Sequence, residues 1–163
     1  MAKFTGDNRA NKIDGTRKAD NISGAGGNDK LSGHRGDDII KGDSGNDRLG
    51  GGQDHDILAG GSGKDAFVFN SFAAKDSDKV TDFISKTDKL EFSHTTFDLK
   101  LGKIDAGEFF AGTKAQDADD RFIYDKKSGQ LFYDDDGIGA HSQHLVATLT
   151  NHVTITASDF LII

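Results

Sequence analysis

The sequence predicts an all-β chain, with a repeat solenoid over residues 1–68 followed by a β-rich block over residues 69–163. Three observations carry this. From Gly6 to Val68 the chain divides into seven consecutive nine-residue units without insertion. Twelve of the 14 Phe and Tyr residues lie beyond Val68, so a conventional aromatic core is available only there. In that second block, short runs of alternating apolar and polar residues are bounded by turn residues, which is strand patterning.

The units begin at Gly6, Gly15, Gly24, Gly33, Gly42, Gly51 and Gly60. Their sixth positions are Asn11, Asp20, Asp29, Asp38, Asp47, Asp56 and Asp65, and their eighth are Ile13, Ile22, Leu31, Ile40, Leu49, Leu58 and Phe67. The fourth position is glycine at Gly27, Gly36, Gly45 and Gly63, but Arg9, Lys18 and Asp54 elsewhere. The last three residues of a unit suit a very short strand with the middle side chain inward. The first six turn the chain, and glycine there admits backbone angles closed to other residues. One unit buries almost nothing alone; stacked units make the apolar positions a continuous core.

Stacking also lines up the sixth positions, with carboxylates about 5 Å apart along the pairing direction. Bare like charges at that spacing repel, so the ladder requires a cation. The sequence holds 25 Asp against 2 Glu, together with 21 Gly. Since both acids solvate equally well, that bias selects the shorter side chain for its geometry. Carboxylate and carbonyl oxygens are hard ligands that suit Ca²⁺ rather than zinc or copper.

The units Gly24 to Ser32, Gly42 to Gly50 and Gly60 to Val68 resemble the GGxGxDxUx nonapeptide of RTX proteins. The resemblance implies a parallel β-roll, a two-sheet calcium-bound solenoid in which two units make one turn and each ion lies between loops n and n+2. One edge would then stack Asn11, Asp29, Asp47 and Asp65, and the other Asp20, Asp38 and Asp56. That allows up to five interloop sites, built from Asp20, Asp29, Asp38, Asp47, Asp56 and Asp65 with Gly24, Gly27, Gly33, Gly36, Gly42, Gly45, Gly60 and Gly63. Units one and two depart from the pattern through Arg9, Lys18 and Asn11, which points to an N-terminal cap. Asp54 puts the loop geometry of unit six in question.

Beyond Val68, strands are expected at Lys79 to Ile84, Lys89 to Phe92, His144 to Thr150 and Val153 to Ile163. Arg121 to Asp125 and Gln130 to Asp134 should form a hairpin across Lys126 to Gly129, and Asp105 to Ala111 a turn or two of helix. Phe67-Val-Phe69, Asp82-Phe83, Asp88-Lys-Leu90 and Asp120 to Tyr124 resemble the C-terminal part of serralysin-type RTX proteins. A roll needs such a block to cover its last apolar rung and open edge. Ser158-Asp-Phe-Leu-Ile-Ile163 is similar to the uncleaved C-terminal signal of type I secretion substrates, which implies the type I machinery as a partner and an extracellular location. The first twenty residues carry no apolar stretch of the cleavable kind, in keeping with that route.

Other chemistries find little support. No Cys means no disulfide, thiolate zinc site or cysteine nucleophile. A net charge of −7 opposes general nucleic-acid binding, and no apolar run approaches a membrane span. Asp134-Asp-Asp-Gly137 is not an EF-hand, because Ile138 and Leu145 stand where that loop needs oxygen ligands; a solvated hairpin tip is expected. His34, His55, His94, His141, His144 and His152 are scattered without an HExxH motif, and GxSxG and P-loop motifs are absent, so no enzyme is expected. Lys12, Lys30 and Arg48, at outward position seven of alternate units, would form a basic row, with Arg17 and Arg35 stacking beside the loops. Such a row suits an acidic polysaccharide, as in an accessory or adhesion module of a larger secreted enzyme, or simply offsets the Asp ladders. Outward Ile39 and Ile57 on the other sheet call for cover by the second block or a partner.

The expected mechanism couples binding to folding. One buried apolar side chain per nine residues does not offset a backbone ordering cost of about 1–2 kcal/mol per residue. At low calcium the roll should stay unfolded, and sites with Kd of about 10⁻⁴–10⁻³ M would fill outside the cell.

Overall fold

The computed structural model describes the backbone of residues 1–163 and every side chain except that of Ala74. The strands are β1 (Ala2–Thr5), β2 (Lys12–Asp14), β3 (Asp20–Ser23), β4 (Lys30–Arg35), β5 (Ile39–Ser44), β6 (Arg48–Gln53), β7 (Ile57–Ser62), β8 (Ala66–Phe69), β9 (Asp78–Val80) and β10 (Lys89–Phe92). After one helical turn, α1 (His94–Phe97), come β11 (Phe109–Ala111), β12 (Phe122–Asp125), β13 (Gln130–Tyr133), β14 (His144–Leu149) and β15 (Phe160–Ile162).

These strands build two sheets. One runs β2-β4-β6-β8-β10-β15, the other β1-β3-β5-β7-β9-β14-β13-β12-β11. Alternate units pair in parallel: Lys12 faces Lys30, Lys30 faces Arg48, and Ile39 faces Ile57. The winding is that of a parallel β-roll, two nonapeptides to the turn. Between the sheets Ile22, Leu31, Ile40, Leu49, Leu58 and Phe67 are each at most 1% exposed. Phe4 and Ile13, at the open end, are only half-buried.

Both sheets run past residue 68. In one, β9 pairs in parallel with β7 and then with β14; in the other, β10 pairs with β8 and then with β15. Phe122 centres the second core, with ring centroids 4.6 Å from Phe92 and 4.8 Å from Phe160. The Tyr124 hydroxyl donates to the Val153 carbonyl at 2.9 Å. The expected hairpin forms between β12 and β13. Gly129 turns it with φ of +74°, where a Cβ would lie 2.4 Å from the Leu149 carbonyl oxygen.

Several expectations are corrected. The repeat strands are longer than three residues: β4 to β7 have six each, continuing past the bend into the next unit. The strand expected over Lys79 to Ile84 covers Asp78–Val80, because Asp82 turns to accept the N–H groups of Gly60 and Gly61, each at 2.9 Å. Asp105 to Ala111 is a single 3₁₀ turn, Ala106–Glu108, followed by β11. In Val153 to Ile163 only Phe160–Ile162 pairs, after another 3₁₀ turn, Ala157–Asp159. The second block leaves Ile57 40% exposed. No helix among the described residues is long and apolar enough to cross a membrane.

Candidate metal centre

The sixth-position residues lie where each loop enters its strand, and each is bonded to the loop two units on. The N–H of Asp20 donates to Oδ1 of Asp38 at 2.8 Å, and that of Asp38 to Oδ1 of Asp56 at 2.8 Å. On the opposite edge Asn11 donates to Asp29 at 2.7 Å, Asp29 to Asp47 at 2.8 Å, and Asp47 to Asp65 at 2.9 Å. The two rows are those expected. Each gains one further member: Asp56 donates to Asp78 at 3.1 Å, and Asp65 to Asp88 at 3.0 Å. Sequence reasoning missed both as ladder residues. Asp78-Lys-Val80 and Asp88-Lys-Leu90 repeat positions six to eight of a unit, yet they follow their partners by 22 and 23 residues instead of 18.

The second carboxylate oxygen sorts the loops into two kinds. Oδ2 of Asp29, Asp38, Asp47, Asp56 and Asp65 is buried with no hydrogen-bond partner. Oδ2 of Asp20 instead accepts the Thr16 N–H at 2.7 Å and its hydroxyl at 2.8 Å. Oδ2 of Asp88 accepts the Ile84 N–H at 2.8 Å, and Oδ1 of Asn11 the Asp7 N–H at 2.9 Å. The donor in each satisfied loop is the residue four before the acceptor.

The backbone explains the difference. Four residues before the orphaned oxygens stand Ala25, His34, Asp43, Gly52 and Gly61, all left-handed, with φ of 72°, 79°, 72°, 118° and 96°. Asp7, Thr16 and Ile84 are not left-handed. A left-handed residue turns its N–H away from the carboxylate, and for Ala25, His34 and Asp43 it does so at a cost of about 1–3 kcal/mol each. A desolvated, unpartnered carboxylate oxygen is itself unfavourable. Loops that maintain both are shaped for something not made of protein.

The glycines make the room. A Cβ on Gly24, Gly33, Gly42 or Gly60 would lie 2.2, 2.0, 2.3 or 2.4 Å from Oδ2 of the aspartate in its own unit. At position four Gly27, Gly36, Gly45 and Gly63 are left-handed and pack on the loop one turn earlier; a Cβ on Gly45 would meet the Gly27 carbonyl oxygen at 1.8 Å. Asp54 holds that conformation too, at φ of 80°, so unit six keeps its loop despite the substitution. Arg9 and Lys18 do not, which agrees with the closed first two loops.

Burial, with neighbouring aspartates adding to it, pushes Asp38 and Asp65 up to about 6 and also raises Asp47. Burial raises Asp56, with the Asp38 and Asp37 charges adding to it, and burial raises Asp78, with the Asp56 charge adding to it. For Asp20 burial raises, but the Thr16 N–H and hydroxyl outweigh it and hold the carboxyl below its usual value. Among the described residues, no Lys, Arg or His pairs with the five orphaned carboxylates. Hard, buried, anionic oxygens without donors fit a hard divalent cation.

Elsewhere Asp135, Asp136 and His141 bring ligand atoms within 4.8 Å of one another at the exposed β13–β14 turn. There the His141 ring meets Asp135 at 2.9 Å, an ion pair on the tip expected to be merely solvated. Of the basic row, Lys12 pairs with Asp14 at 3.0 Å and Arg48 with Glu91 at 2.7 Å.

The sequence profile of the RTX calcium-binding nonapeptide repeat (four copies) matches residues 5–40 and, again, 32–67. No curated protein matches the chain. Among solved structures, the solution structure of the AlgE6R3 subunit from the Azotobacter vinelandii mannuronan C5-epimerase is similar at 22% identity and a TM-score of 0.42, covering 96% of this chain and 80% of that one. With the register of the sheets and the two Asp rows, residues 5–67 are RTX calcium-binding nonapeptide repeats.

Proposed function

We propose that this calcium-binding β-roll folds on calcium after export by a type I secretion machinery, and that it works outside the cell as a structural module rather than an enzyme. The observation that carries the proposal is the set of five buried repeat carboxylate oxygens without donors, each facing a loop whose backbone is turned away from it. Asp29, Asp38, Asp47, Asp56 and Asp65 would hold the ions, with Gly24, Gly33, Gly42 and Gly60 leaving space for their oxygens and Gly27, Gly36, Gly45 and Gly63 stacking the loops. Bound calcium supplies the positive charge that lets these carboxylates stay ionised inside the roll. Asp20 contributes through its place in the row, since both of its oxygens already have donors.

Without the ion, the aspartates of a row repel at about 5 Å, and the short strands lack the apolar burial to overcome that. A chain in this state can be threaded through a secretion channel. The terminal strand supports the same order of events. Phe160 and Ile162 are at most 2% exposed, and Asp159 holds the Ser85 hydroxyl at 2.8 Å and the Lys86 N–H at 2.7 Å. An export determinant at Ser158 to Ile163 is therefore legible to the machinery only before folding. Far-UV circular dichroism of the full chain tests the proposal. EDTA should abolish the β signal of the roll and millimolar Ca²⁺ restore it; a spectrum indifferent to both refutes it.

An acidic-polysaccharide surface is a second reading, favoured by the register that stacks Lys12, Lys30 and Arg48 on adjacent strands. Asp14 and Glu91 already neutralise its two ends, and Lys30 carries the exposed charge between them. Alginate or heparin binding in saturating Ca²⁺, lost in Lys30→Glu, would support it; no binding by the native chain ends it.

A further inference from the structure

We propose that Asp78, which lies outside the nonapeptides, completes the last calcium site of its row together with Asp56, so that the ion fastens the second block to the roll. This rests on the calcium reading of the rows. Their two ends differ. At Asp88 the row closes on protein, because both oxygens accept backbone N–H groups, from Asp65 and Ile84. At Asp78 only Oδ1 is matched to a donor, the Asp56 N–H. That bond sets the two carboxyl groups on one rung, and Oδ2 of Asp56 is buried without a partner. The two residues are 3% and 1% exposed, so water screens neither.

Among the described residues no side-chain cation reaches the pair. Lys75 pairs with Asp76, the His55 ring faces the Ser77 carbonyl at 3.0 Å, and Lys79 is exposed on the outer face of β9. Two buried carboxylates on one rung, with no cation beside them, need a proton or a divalent ion. The rung they occupy continues the calcium row in register, with Leu58 facing Val80 just beyond it. Asp78 also opens β9, the strand through which β14 and the rest of the second block join the roll's sheet. A cation there ties the two blocks at the one point in this row where the nonapeptide motif has ended.

The test is the calcium count of the full chain by native mass spectrometry and calorimetry, for wild type, Asp78→Asn and Asp88→Asn. Asp78→Asn should lose one ion, or bind it at least tenfold more weakly, while Asp88→Asn keeps the wild-type count. The ¹³C carboxyl resonance of Asp78 in the unmutated chain covers the case of a variant that does not fold. It should shift when the bound Ca²⁺ of the folded chain is exchanged for Sr²⁺, and that of Asp88 should stay in place. Calcium binding with an unmoved Asp78 resonance and an unchanged Asp78→Asn count overturns this assignment alone. A wild-type chain that binds no calcium overturns it together with the reading of the rows.

Discussion

Gly33→Ala would place a methyl group inside the cradle of one loop. Its Cβ would stand 2.0 Å from Oδ2 and 2.7 Å from Cγ of Asp38, and 2.7 Å from the Gly51 carbonyl oxygen. The carbonyl belongs to a paired strand, so Asp38 has to leave its rotamer, giving up the Asp20 N–H that it holds at 2.8 Å. Overpacking of this kind costs about 1–3 kcal/mol, and the lost hydrogen bond about 1 kcal/mol. Together, about 2–4 kcal/mol corresponds to a fall in melting temperature of about 5–15 °C for a chain of this size. Gly50→Ala is the control: its Cβ would meet nothing nearer than Val68 Cβ at 3.7 Å, and the change should stay within about 1 kcal/mol. Thermal unfolding of both variants by circular dichroism in saturating Ca²⁺ reads the difference. If Gly33→Ala melts with Gly50→Ala and keeps its calcium, the cradle has been misread.

Three further outcomes follow from particular contacts. Thr16→Val removes one of the two donors on Asp20 Oδ2 and should destabilise by about 1 kcal/mol in urea unfolding without changing the calcium count. Asp38 and Asp65 are raised to about 6 in the roll, so the folded state binds protons that the unfolded chain releases at about 3.8. Their contribution to the calcium-free roll is present below about 3.8 and lost as pH rises through about 6; β signal in EDTA should therefore grow on acidification from pH 7.5 to 4.5, while calcium affinity falls over the same range. Phe160→Ala empties a position packed against Phe109 at 5.4 Å and Phe122 at 4.8 Å. It should cost about 3–5 kcal/mol and flatten the near-UV tyrosine signal, with the calcium count retained.

What was legible in the sequence is what repeats. The period of nine gives the rows, and the resemblance to RTX proteins gives the pairing of alternate units that sets Lys12 beside Lys30 and Ile39 beside Ile57. The alternation of buried position eight follows from the same register. Other features depend on contacts that have no period. Asp78 and Asp88 enter the rows after loops lengthened by four and five residues, since 22 − 18 = 4 and 23 − 18 = 5. Asp82 cuts short a strand that alternation alone extends to Ile84, because Gly60 and Gly61 offer it two N–H groups. Which aspartates keep a bare oxygen was hidden as well. It depends on whether position two is left-handed, and Ala25, His34 and Asp43 adopt that conformation without a glycine to announce it.

On the proposed reading, a repeat aspartate whose buried oxygen lacks a donor marks a calcium seat, and one already held by a backbone N–H does not. Asp38 and Asp20, neighbours in one row, differ in this respect alone among their side-chain bonds. The ions retained by the full chain in native mass spectrometry decide between them: five for the wild type, the same number for Asp20→Asn, and one fewer for Asp38→Asn. An Asp20→Asn chain that loses an ion while Asp38→Asn keeps them all would contradict it.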